Sequence, residues 1–100
     1  MRTSKRDKSY ETSLLEALTD PKEAAAYLDA VMELEDQGAM LIALRQVAKA
    51  NGMAEVARSA SLGEKTLFKS LAESGNPTLD TVNRILHSVG LRLSVAEIHT

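Results

Sequence analysis

The chain has no cysteine and only three aromatic side chains among its 100 residues. Without cysteine there is no disulfide framework and no thiolate metal site, which fits a reducing cytoplasm. With only Tyr10, Tyr27 and Phe68, there are no aromatic platforms on which single strands or RNA could stack. No apolar run approaches the roughly 20 residues that cross a bilayer. Residues 1–10 are polar and mixed in charge, unlike a secretory signal, so a cytoplasmic protein without membrane contact is expected. His87 and His99 are too far apart, and too lightly accompanied by acids, to form a metal site. No glycine-rich loop follows a strand, and no Ser, His and Asp set has the context of a nucleophile. The expectation is no enzyme and no cofactor.

One hundred residues make one domain with a single core. Residues 1–10 read as a flexible basic arm and residues 11–100 as the domain. The net charge of −2 argues against a generic nucleic-acid binder, but the charge is unevenly placed. Residues 1–10 carry Arg2, Lys5, Arg6 and Lys8 against Asp7, a net +3. Residues 11–39 carry Glu11, Glu16, Asp20, Glu23, Asp29, Glu33, Glu35 and Asp36 against Lys22, a net −7. Residues 40–100 carry Arg45, Lys49, Arg58, Lys65, Lys69, Arg84 and Arg92 against five acids, a net +2. The acidic front half could face a basic protein partner or be an ordinary solvated surface.

Leu14, Leu15 and Leu18 suffice for a short helix or an anchoring turn. Asp20-Pro21 starts the next helix, with Asp20 as cap, Pro21 in the first helical position and Glu23 in the first turn. Ala24, Leu28, Val31 and Met32 form its buried stripe, with Tyr27 and Leu34 beside it. Gln37-Gly38 reads as the break before a helix from about Ala39 to Ala50. That helix is apolar nearly all round, which places it centrally, and Asn51-Gly52 ends it.

Residues 53–71 read as two short helices with a tight turn between them. Val56, Ala57 and Ala60 make one apolar face, Leu62 sits in the turn, and Leu67 with Leu71 makes a second. Small Ala57 falls where the helices cross. This is the spacing of a helix-turn-helix, whose second helix enters the DNA major groove, although any small helical hairpin would share it. Glu64, Lys65, Thr66, Phe68 and Lys69 are the exposed positions of the second helix.

Ser74-Gly75-Asn76-Pro77 is a loop by composition. Thr78 caps a last helix with Leu79, Val82, Ile85, Leu86 and Val89 on its apolar face, closed by Gly90 and Leu91. Residues 91–96 then alternate with period two, a strand signal. A lone strand must find partners for its backbone. It can pair with its copy, add to a partner's sheet or lie as an extended tail; two-fold pairing through Leu91, Leu93 and Val95 is the expectation.

Gly52-Met53, Val56-Ala57-Arg58, Leu62, Leu67-Phe68-Lys69-Ser70-Leu71, Gly75-Asn76-Pro77-Thr78, Thr81-Val82 and Gly90-Leu91-Arg92-Leu93 together resemble the addiction-module antidote proteins. These are HigA-like antitoxins with an Xre-type, phage-repressor helix-turn-helix. Asp20-Pro21 to Leu28 resembles that family's front end, so the likeness spans about residues 10–96. It implies an all-α domain of five or six helices with a short C-terminal β-strand.

The resemblance also implies neutralisation of a RelE/HigB-like mRNA interferase toxin, and repression of the shared operon by a homodimer on double-stranded operator DNA. In the family's pattern Lys65, Thr66 and Lys69 meet DNA from a recognition helix that opens at Glu64, and Arg58 meets phosphate. Phe68 falls where the family often has Tyr; it could touch a thymine methyl, but packing against the following helix is the expectation. Three positions depart. Ala54-Glu55 replaces a Ser or Thr followed by Gln, Gly63 replaces a capping Ser, and Ser61 replaces the turn Gly. For the toxin, the acidic helix is expected to offer Glu23, Tyr27, Asp29 and Glu33.

Overall fold

The computed structural model describes residues 3–98, with side chains from residue 9 onward. The described chain is six helices: α1 (Thr3–Ala17), α2 (Pro21–Met32), α3 (Gln37–Asn51), α4 (Met53–Ser59), α5 (Glu64–Ser70) and α6 (Leu79–Ser88). None is long and apolar enough to cross a membrane.

Helix α3 is the axis. It buries Leu41, Ala43, Leu44, Val47 and Ala48 and packs against α1, α2 and α4. Ile42 remains half exposed, so α3 is central without being enclosed on every side. Helix α2 starts as its residues require: the Asp20 carboxylate accepts from the Lys22 N–H at 3.0 Å, with Pro21 at the first helical position. Its buried residues are Ala24 and Leu28; Met32 and Leu34 are exposed.

Two boundaries differ from expectation. Helix α1 begins at Thr3, where residues 3–10 lack apolar periodicity. Residues 1–2 of the expected arm, and His99, lie outside the described residues. The break between α2 and α3 falls at Glu35, in the left-handed region at φ 54°, not at Gln37-Gly38. Asp36 caps α3 by accepting from the Ala39 N–H at 3.2 Å, so Gln37 and Gly38 form the first turn, where glycine is tolerated.

The joints between the later helices are backbone devices. Gly52, at φ 90° and ψ 112°, ends α3 and begins α4, a conformation that only glycine adopts freely. At the end of α4 the Leu62 N–H bonds to the Ala57 carbonyl at 2.8 Å and the Ser61 N–H to the Arg58 carbonyl at 3.2 Å. That is a complete Schellman ending, with Ser61 at φ 59° in the glycine position. Helix α6 ends the same way. The Leu91 N–H bonds to the Leu86 carbonyl at 2.8 Å and the Gly90 N–H to His87 at 3.1 Å, with Gly90 at φ 83°. Gly75 is fixed by space: a Cβ there would lie 2.1 Å from the Ser70 carbonyl oxygen.

The expected C-terminal β-strand is absent among the described residues. Residues 91–98 have neither helix nor strand, and among the described residues, 92–98 make no backbone–backbone hydrogen bond. The physical reason is the lack of any other strand to pair with, since every other element is a helix. Leu91 and Leu93 pack against the core of their own chain, while Val95 is 97% exposed. The period-two pattern therefore records a tail with alternate residues turned onto the helices.

Candidate nucleic-acid and partner surfaces

Helices α4 and α5 pack against each other and divide their residues cleanly. Val56, Ala57 and Ala60 are buried on one side of the joint, and Leu67 and Leu71 on the other. Burying Ala57 to 2% leaves room for the second helix only because its side chain is one methyl. Helix α5 starts at Gly63, which makes no side-chain cap bond; a serine hydroxyl there could have accepted an orphan N–H. Arg45 braces the far end, its Nε donating to the Leu71 carbonyl at 2.8 Å.

With Leu67 at 0% exposure, the opposite face of α5 presents Glu64, Lys65, Thr66, Phe68 and Lys69 to solvent. Phe68, expected to pack against the next helix, is instead 55% exposed. Among the described residues Lys65 and Lys69 have no ion-pair partner. Three other cations of the basic half are engaged. The Lys49 Nζ lies 3.2 Å from a Glu11 carboxylate oxygen. The Arg84 Nε lies 2.9 Å from the Asp80 carboxylate, and its guanidinium also donates to the Ala60 carbonyl at 3.4 Å. Arg58, at the end of α4, donates to the Glu55 carboxylate one turn earlier. The free positive charge near this joint therefore sits on α5.

The acidic candidates lie along α2, with Glu33 at its C-cap. Glu23, Asp29 and Glu33 are exposed. At 100° per residue, Glu23 and Asp29 lie about 120° apart around the helix, so the acids form a broad face and not a chelating cluster. Among the described residues no group of three or more acids or histidines could hold a metal. Tyr27 is half-buried on the flank, and its hydroxyl donates to the Gln46 side-chain oxygen on α3. Burial raises its pKa above the usual 10.0, with Tyr10 adding to the shift. This tie between α2 and α3 is a contact that sequence periodicity did not single out.

A groove of about 370 Å³ runs between α2 and residues 91–94. Leu28, Met32, Leu86 and Leu93 line it, with Asp29 and Arg92 among its polar residues. Leu91 and Leu93, expected at a dimer strand, thus belong to this groove, and Val95 stands apart from it.

The described residues form six helices, with a short helical hairpin, α4–α5, that exposes Lys65 and Lys69 and a helix, α2, that exposes acids. A family model described as "Probable addiction module antidote protein" matches residues 8–97, and the chain belongs to that family. It is also 32% identical over 82 residues to an uncharacterized protein of Haemophilus influenzae, covering 82% of this chain and 84% of that one. No solved structure matches it.

Proposed function

We propose that the chain is the antitoxin of a type II toxin–antitoxin module, which binds and neutralises a RelE/HigB-like mRNA interferase and represses its own operon. Family membership supports the antidote role, and an antidote acts by binding, not by catalysis. The α4–α5 joint supports the DNA role. In this reading it is an Xre-type helix-turn-helix, with α5 as the recognition helix and α4 crossing the phosphate backbone. The observation that carries it is the outward face of α5, where Lys65 and Lys69 are exposed and free of ion pairs while Leu67 and Leu71 anchor the helix from behind.

Lys65, Thr66 and Lys69 meet the groove, and Glu64 sits where the helix enters it. A homodimer sets two such helices about 34 Å apart on a palindromic operator. The toxin meets the acidic face of α2 through Glu23, Asp29 and Glu33, with Tyr27 at its edge, since a protein that grips RNA carries complementary positive charge.

A protein-interaction module without DNA binding is the competing reading, favoured by one observation: Arg58 is already paired with Glu55. A stand-alone repressor of the same fold is the third. A gel shift with the DNA upstream of the chain's own gene separates the second reading from the others. The antitoxin is expected to give a salt-sensitive shift, and folded protein that gives none at any salt removes the DNA role. Co-purification with the product of a short adjoining basic reading frame separates the first from the third.

A further inference from the structure

Glu55 stands on α4 three residues before Arg58. Both are exposed, with 58% and 72% of their side-chain surfaces open to solvent. The guanidinium of Arg58 donates to the Glu55 carboxylate, and the Ser59 hydroxyl donates to the same oxygen at 3.4 Å. The arginine at the end of α4 is therefore occupied by an acid on its own helix. The other nearby cations have different work: Arg45 holds the Leu71 carbonyl, and Arg84 holds Asp80 and Ala60.

We propose that Glu55 sets the strength of DNA binding by competing with a backbone phosphate for Arg58. The inference rests on the DNA role proposed above and adds a residue that no contact with a base would reveal. In the free chain the Glu55 carboxylate takes Nη2, one arm of the guanidinium fork that a phosphate would otherwise take bidentately. Docking must then either break that pair or leave Arg58 out of the interface. The chain thus binds DNA with Lys65 and Lys69 as its main cations, below the affinity its count of bases would allow. An exposed pair of this kind adds little to stability, so altering it leaves the fold in place.

The test is a thermodynamic cycle read by fluorescence anisotropy on labelled duplex from upstream of the gene, over a series of salt concentrations. The proteins are the full chain, Glu55→Gln, Arg58→Gln and the double variant. Glutamine keeps the size of Glu55 and removes its charge. Glu55→Gln is expected to bind about tenfold tighter and to steepen the salt slope by about one ion, the signature of one additional phosphate contact. Arg58→Gln is expected to change affinity less than about threefold in the natural background and to abolish the gain in the Glu55→Gln background. Two results overturn the competition while leaving the DNA role intact: Glu55→Gln matching the natural chain, or its gain persisting without Arg58, which would mean simple repulsion. No salt-sensitive binding by any of the four folded proteins overturns the DNA role, and this inference with it.

Discussion

Helix α2 and helix α5 each bury one stripe and offer the other to solvent. On α2 the buried residues are Ala24 and Leu28, and Glu23, Asp29 and Glu33 face outward. On α5 the buried residue is Leu67, and Lys65, Thr66 and Lys69 face outward. The inward sides are interchangeable in kind, small or branched apolar groups removed from water. The outward sides differ in sign, and nothing in the core requires either sign. Charge is thus independent of the packing that builds the domain, and the two helices present opposite potentials from one scaffold.

Four variants break or sharpen that comparison. The largest effect is on the shared inward side. Leu67→Ala removes a fully buried side chain and is expected to cost about 2–5 kcal/mol, read as a lowered thermal midpoint by circular dichroism. It should remove DNA binding by loosening α5 itself. Reversing the outward charge of α2 with Asp29→Lys and Glu33→Lys together should weaken toxin capture by at least about tenfold, measured by calorimetry. The same protein should keep its thermal midpoint and its DNA binding.

A smaller effect is expected at the tie between α2 and α3. Tyr27→Phe deletes the hydroxyl that donates to Gln46 and should cost about 1 kcal/mol in urea unfolding. The raised Tyr27 pKa sets the sign of its pH dependence. Folding holds the phenolic proton more tightly than the unfolded chain does. Its contribution is therefore complete below pH 10 and declines as pH rises through the folded-state value. The Tyr27→Phe protein should lose that part of the alkaline decline. The smallest effect is at the end of α4. Ser61→Gly relieves a left-handed serine and should stabilise the chain by about 0.5–1 kcal/mol, with DNA binding unchanged.

Much of this arrangement is legible in the sequence because the signals are local. Asp20-Pro21 starts α2, Thr78 caps α6, and Gly90-Leu91 ends it, each through a bond between residues near in sequence. The buried faces of α4 and α5 follow from their spacing. The hidden features depend on distant partners or unusual backbone. Glu35 stops α2 in a conformation that glutamate composition does not announce. The tail at 91–98 alternates as a strand would, yet what decides its state is whether another strand is within reach. The expected strand does not form within the single chain for that reason.

Of the candidate residues, the sequence identifies which side of α5 is outward. It does not reveal that Lys49 is already paired, because Glu11 lies on another helix, whereas the Arg58–Glu55 and Arg84–Asp80 pairs span three and four residues of one helix. Phe68 shows the same limit: expected against the next helix, it is 55% exposed.

The central claim is that the two outward faces do separate work, DNA at α5 and protein at α2. The most direct test is the double charge reversal Lys65→Glu with Lys69→Glu, assayed in parallel for binding to the upstream DNA and for toxin capture. DNA binding should fall by at least about 100-fold, with toxin affinity and thermal midpoint unchanged. Loss of both bindings in a folded protein, or retention of DNA binding, would contradict it.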